Sequence, residues 1–318
     1  MTATLGPETT VAGGKTIVLP PKRRERRWGQ VARKKSIPYL FLLPSGTLFL
    51  AFSLIPIGAA FWFSFNTGAL AVNPRFAGLA NYEKIVQDEL FWTALRNTGV
   101  FTLGTVPTSM AIGLLLAVLL NRPMPGRVIL RTIFFAPMVA SGVGVAVVMS
   151  WIFNYDYGVV DNAIAALGGN RVPWLTSPNL AMVTVVLAVL WSRIGFCMVL
   201  YLAALQSVPE SLNEAATLDG AGAWKRFRYV TLPLLSPTTF FLLIINVVFS
   251  LQVFDLLFVL TGGGPGFATT VLVQYVFRTA FAQGNMGYAS AIGVIFTLML
   301  IAFTLLRYRS SRKSEDVI

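Results

Sequence analysis

Apolar positions in this chain fall into long unbroken runs rather than alternating with polar ones. Six runs, at about 37–65, 98–120, 132–153, 180–206, 237–260 and 286–306, meet or exceed the roughly 20 residues that a helix needs to cross the hydrocarbon core of a bilayer. The pattern predicts an all-α membrane protein with six transmembrane helices. The first run is long and contains Pro38, Pro44 and Pro56, so a kinked or tilted helix with ends extending beyond the bilayer is expected there. A cleaved signal peptide fits poorly, because it would follow an unusually long basic leader and lacks a cleavage signature.

Composition agrees with the pattern. At 318 residues, with 55% hydrophobic and 12% charged residues, the chain has too little polar surface to cover a soluble globule. A single cysteine, Cys197, excludes a disulfide framework and a cysteine metal site. With no histidine, the commonest metal ligand and general base is missing, so chemistry on a substrate is not expected. The net charge of +12 would suit nucleic acid only if it formed one face, and it does not. Nineteen of the Lys and Arg residues lie in the N-terminal tail, the 121–131 loop, the 207–236 loop and the C-terminal tail, against five on the other side. This asymmetry places both termini in the cytoplasm and makes the charge a topology signal. The organisation expected is a basic, disordered tail over about 1–36, a first helix with its external loop over 37–97, a core of five spans over 98–306, and a cytoplasmic tail over 307–318.

The external loops carry two amphipathic stretches, Glu83 to Thr98 and Val159 to Leu167, the second ending at the Gly168-Gly169 break. Both are expected to cap the outer ends of the spans. In the cytoplasmic 207–236 loop, Ser211-Leu212-Asn213-Glu214 has the capping-box pattern that starts a helix. Gly220 stands where that helix can end in a left-handed residue. Trp224, Phe227, Tyr229 and Val230 give the following stretch an apolar side, and Pro233 and Pro237 close it. The loop thus predicts an exposed helix-turn-helix knob.

The knob also carries a specific resemblance. Glu214-Ala215-Ala216, three residues, Gly220, nine residues and Val230-Thr231-Leu232-Pro233 resemble the EAA motif of binding-protein-dependent ABC importer permeases, EAA-x3-G-x9-I-x-LP, with Val230 in place of Ile. Phe254-Asp255 followed by Val259-Leu260-Thr261 and Gly262-Gly263-Gly264-Pro265 resembles the outer end of the fifth helix in carbohydrate-uptake permeases, the class with maltose, lactose and glycerol-3-phosphate systems. A tight external turn alone is the plainer reading of that glycine run. The resemblance implies the transmembrane-domain architecture of type I ABC importers. It further implies that this chain and a second homologous permease form a pathway in a bacterial cytoplasmic membrane. An extracytoplasmic solute-binding protein would dock outside at the Gly262–Pro265 turn, and two ATP-binding subunits would receive Glu214, Ala215, Ala216, Gly220, Leu232 and Pro233. ATP and Mg would be bound by those partner subunits, this chain holding no cofactor and no Walker motif.

Polar residues within spans are costly, at about 2.5 to 3.5 kcal/mol for a central charge, and tend to face a cavity or the bundle interior. Trp191, Arg193, Asn246, Gln252 and Asp255 are the candidates for the solute pathway. Asn246 and Ser250 share a helix face at i, i+4, and Gln252 and Asp255 at i, i+3. Aromatic faces with amide and carboxylate groups suit a sugar. The competing reading of each residue is packing between helices, including an Arg193 to Asp255 pair, and Arg193 could instead meet an anionic solute. Two other functional classes stay open. An ion-coupled secondary transporter would need more buried acids than Asp255 alone, and a membrane scaffold docking a cytoplasmic partner would leave the outer glycine run unexplained.

Overall fold

The computed structural model describes residues 41–67 and 75–315, with side chains described as far as 305. The expected basic tail and the first few residues of the first run lie outside the described residues. The described residues form two units, one ending at Gly58 and the other beginning at Ala59. The first unit is helical from residue 41, with a π turn over Leu50–Leu54. This helix, α1 (Phe41–Phe63), is the first span.

The second unit opens on a two-residue hairpin, β1 (Asn66–Thr67) against β2 (Arg75–Phe76), antiparallel with Asn66 opposite Phe76. The amphipathic stretch expected over Glu83 to Thr98 is not one element. It divides at Asp88, between α2 (Ala80–Gln87) and α3 (Glu89–Asn121). Asp88 is extended (φ −87°, ψ 103°), and its Oδ1 accepts from the backbone N–H groups of Leu90 (2.9 Å) and Phe91 (3.3 Å), which is an N-cap. The second span therefore starts about nine residues before its apolar run, and α3 continues through residues 97–98. Pro107 is tolerated inside α3.

The third and fifth spans are interrupted. In the third, α4 (Arg127–Val139) and α5 (Gly142–Ile152) meet at 106°. Ala140 and Ser141 are extended there, and Ser141 Oγ caps α5 by accepting from Gly144 N–H at 3.1 Å. After the short α6 (Val159–Ala166), α7 (Pro178–Gln206) forms the fourth span, with proline in its first turn, where no donor is lost. The fifth span is α10 (Ser236–Gln252), an extended Val253, and then α11 (Asp255–Leu260). Gln252 and Asp255 consequently sit on two helices, and the expected shared i, i+3 face does not exist. Neither proline nor glycine causes this break. Phe254 is instead held by Phe258 and Phe277, with ring centroids 5.1 and 4.9 Å away.

Beyond the glycine run the chain does not cross as a plain loop. It forms α12 (Leu272–Phe277) with a π turn over Arg278–Ala282 before α13 (Met286–Glu315). The backbone of α13 is helical beyond the end expected at residue 306. Among the described residues, four helices are long and apolar enough to span, or six spans if Arg127–Val139 with Gly142–Ile152 and Ala223–Leu234 with Ser236–Gln252 each count as one. Three apolar clusters hold the second unit together. Phe101, Val145, Val185 and Leu257 join α3, α5, α7 and α11. Met110, Met198, Tyr201 and Leu242 join α3, α7 and α10. Ile85, Phe91, Leu272 and Ile292 tie α2, α3, α12 and α13.

Candidate functional site

The two interruptions open onto one cavity of about 400 Å³. α7 contributes Ser192 and Arg193, α10 contributes Asn246, Phe249, Ser250 and Gln252, α11 contributes Asp255, α5 contributes Gly142, and α3 contributes Thr105 and Ser109. Asn246 is buried and fully engaged: Nδ2 donates to Leu242 O (2.8 Å) and Cys197 Sγ (3.4 Å), and Oδ1 accepts from Arg193 Nη2 (3.2 Å). The Arg193 guanidinium lies 4.1 Å from the Phe249 ring centroid and 4.9 Å from that of Phe196. Ser250 Oγ is 3.0 Å from Thr102 Oγ1, linking α10 to α3. Asp255 packs on the start of α5, where a Cβ added at Gly142 would stand 2.1 Å from Asp255 Oδ2.

Of the residues singled out from sequence, the structure brings Arg193, Asn246, Gln252 and Asp255 to this cavity. Trp191 is not among them. It stands on another face of α7 and is 43% exposed, so the aromatic face at the cavity is Phe249. The partner of Arg193 is Asn246 and not the Asp255 proposed for it. Phe249 was discoverable, being three residues from Asn246 on one helix face. Gly142 was not, since nothing local announces that a carboxylate 113 positions later will press on it.

The knob is α8 (Glu210–Leu218) and α9 (Ala223–Leu234), the latter carrying a π turn over Phe227–Thr231. The capping box does not form. Pro209 precedes the first helical residue, without a side-chain cap, and Ser211 and Glu214 lie inside α8. A proline fits the start of a helix, where its missing N–H costs nothing, so the helix begins before Ser211 is reached. Glu214 is therefore exposed and free of the capping role. Gly220 has φ +74°, and the hydrogen bonds Gly220 N–H to Thr217 O (3.0 Å) and Ala221 N–H to Ala216 O (2.9 Å) complete a Schellman turn. Arg226 Nη1 donates to Thr217 Oγ1 across the turn. Pro233 does not end α9. The path continues through it to Leu234 and bends by 63° into α10, while Leu232 is half-buried. Leu218, Trp224 and Tyr229 are 90, 73 and 74% exposed, an apolar rim around the small Ala215 and Ala216.

In the glycine run after α11, Gly262 and Gly263 have φ +60° and +91°. Thr270 Oγ1 donates to Gly263 O (3.0 Å) and Thr269 Oγ1 to Gly264 O (2.7 Å), while Asn97 Nδ2 reaches Phe267 O (2.9 Å) and Thr270 O (3.0 Å). The turn is thereby tied to α3, with Gly263 buried, Gly264 and Pro265 half-buried and Gly262 exposed. Below it, Asp88 Oδ2 accepts from the hydroxyls of both Tyr275 and Tyr288, and Lys84 Nζ lies 4.5 Å from the Tyr288 ring centroid. Burial works against the charge of Asp88. The hydrogen bonds from Tyr275, Tyr288 and the N–H groups of Phe91 and Leu90 outweigh it and hold the carboxyl below its ordinary range. Burial, then the Asp88 hydrogen bond and charge, push the Tyr275 phenol up to about 12. Among the described residues, no cluster of three or more His, Cys, Asp or Glu could hold a metal.

The family described as "binding-protein-dependent transport system inner membrane component" matches residues 109–315. The trehalose/maltose transport system permease protein MalF of Thermococcus litoralis is 34% identical over 89% of this chain and 96% of its own length. The sulfoquinovosyl glycerol transport system permease protein SmoG of Agrobacterium fabrum is 33% identical over 92% of this chain and 95% of its own. A crystal structure of a bacterial ABC transporter involved in the import of the acidic polysaccharide alginate superposes on 91% of this chain and 99% of that chain, with a TM-score of 0.80 and 28% identity. An exposed EAA knob, interrupted spans around a polar cavity and these matches converge, and the chain belongs to the binding-protein-dependent ABC importer permeases, the multi-pass inner-membrane subunits of such systems.

Proposed function

We propose that this chain, with a second homologous permease, forms the translocation pathway for a sugar or sugar-like solute, an oligosaccharide or a glycerol-3-phosphate-type molecule. An extracytoplasmic solute-binding protein delivers the solute near the Gly262–Pro265 turn. Two cytoplasmic ATP-binding subunits, which hold the ATP and Mg, grip the knob at Glu214, Ala215, Ala216 and Gly220. Both termini lie in the cytoplasm, on the side to which the basic loops assign the knob.

The observation that carries this reading is the cavity at the interrupted third and fifth spans. Hydroxyls from Thr105, Ser109, Ser192 and Ser250, the amide of Gln252 and the ring of Phe249 line it. Ring-bearing polyols offer an apolar face and a hydroxyl edge, and this lining matches both. Relatives named for trehalose/maltose and sulfoquinovosyl glycerol transport support the solute class. The coupling role rests on Glu214, a carboxylate left exposed in mid-helix without a cap to form.

The test is uptake by proteoliposomes holding the importer isolated through a tag on this chain, supplied with its binding protein and enclosed ATP. Labelled oligosaccharides or sn-glycerol 3-phosphate should enter only with ATP. Uptake driven by a proton or sodium gradient without ATP would overturn the proposal, as would isolation of the chain with no ATP-binding subunit in mild detergent.

A further inference from the structure

We infer that the solute carried through the cavity bears a negatively charged group, a carboxylate, sulfonate or phosphate, and that Arg193 recognises it. This rests on the reading of the cavity as the solute pathway and narrows its substrate class.

Charge placement within the cavity carries the inference. Arg193 lies in mid-span on α7, where an unneutralised cation is costly. Among the described residues its hydrogen-bond partner is Asn246, a neutral amide. The acid of the same cavity, Asp255, is exposed and stands against Gly142 at the N-terminus of α5, an end that attracts negative charge. The hydrogen bond of Arg193 is thus to a neutral group, and its other donors are left to the cavity.

The guanidinium is also oriented for recognition. Rings of Phe249 and Phe196, at 4.1 and 4.9 Å, lie against it, and Asn246 fixes one terminal nitrogen from a buried position. A guanidinium has five N–H donors in one plane, and Asn246 takes one of them. The remainder suit an anion with two or three oxygens approaching in that plane, a geometry in which Arg surpasses Lys. Had the role been to position Asn246 for a neutral sugar, the Leu242 carbonyl and Cys197 already hold that amide from its nitrogen side.

The experiment is equilibrium binding to the complete membrane complex in nanodiscs, isolated through this chain and free of binding protein. The probes are labelled trigalacturonate, sn-glycerol 3-phosphate and uncharged maltotriose. Wild type should bind at least one anionic probe, separating carboxylate from phosphate preference, and R193Q should weaken that binding at least tenfold. R193K should weaken it less, and any maltotriose affinity should change less than twofold in both. Anion binding unchanged in R193Q overturns the inference. Binding of maltotriose alone overturns it while leaving the sugar pathway standing, and binding of none of the three removes both. If R193Q does not assemble, R193K decides: anion affinity equal to wild type, with an unaltered melting temperature, rejects the role.

Discussion

Asp255 stands against the α-carbon of Gly142 so closely that a methyl group there would lie 2.1 Å from its Oδ2. Two interrupted spans meet at this contact, the third at the start of α5 and the fifth at the start of α11. A half-helix N-terminus with an acid placed on it fixes how the two breaks face each other across the cavity.

Gly142→Ala is expected to destabilise the protein by about 1–3 kcal/mol, the usual cost of forcing atoms into a packed site. Uptake should fall at least tenfold. Asp255→Ala in the same chain should restore much of the melting temperature without restoring uptake, because the clash is relieved and the contact is not. Melting temperatures of the two single variants that simply add in the double variant would refute the coupling.

Phe249→Ala removes the ring that faces the cavity, whereas Trp191→Ala removes one that does not. Uptake should fall at least tenfold in the first and less than twofold in the second, measured as initial rates with equal amounts of protein in the membrane. The reverse order would restore Trp191 as the aromatic liner.

Glu214→Ala should leave insertion and melting unchanged, since the side chain is exposed and caps nothing. Retention of ATP-binding subunits on affinity resin should drop at least fivefold. Gly220→Ala acts differently: its φ of +74° imposes a left-handed backbone that costs a residue with a Cβ about 1 kcal/mol. Proteolysis of the knob should accelerate in that variant.

Acidification should loosen the junction of α2 and α3. Hydrogen bonds hold the Asp88 carboxyl below its ordinary range, so its contribution is present above the ordinary carboxylate pKa and lost as pH falls through the lower folded one. Hydrogen exchange in Leu90 to Ala94 should rise below about pH 4, and Asp88→Asn should abolish the pH dependence. At the alkaline end, Tyr275 has its pKa raised from 10.0 to about 12, so its contribution is complete below 10 and lost as pH rises through 12. Tyr275→Phe should remove its share of that alkaline loss and leave the share of Tyr288, whose hydroxyl also donates to Asp88.

The sequence alone determined the solvent of this protein, its spans, its helix-turn-helix knob and its family. Those properties rest on local quantities, namely run length, charge asymmetry and a motif whose members lie within twenty residues. Even the turn at Gly220 was legible, because a left-handed residue is a demand of the backbone at one position. The capping box at Ser211 misled because a pattern of side chains competes with the position of the helix start, which Pro209 sets one residue ahead of the first helical turn. Asp88 showed the same competition from the other side, capping a helix within what read as one amphipathic stretch.

Only the tertiary structure decided where the spans break, which face of α7 meets the cavity and which neighbour each of its charged groups meets. The fifth span contains nothing between Gln252 and Asp255 that disfavours a helix as proline or glycine would, and Phe254 is held out of register by Phe258 and Phe277. Trp191 and Arg193 are two positions apart on one helix, about 200° around it, so one faces the cavity only if the other turns away. Asp255 belongs to Gly142 and Arg193 to Asn246 because helices distant in sequence are packed together, and hydropathy carries no record of that packing.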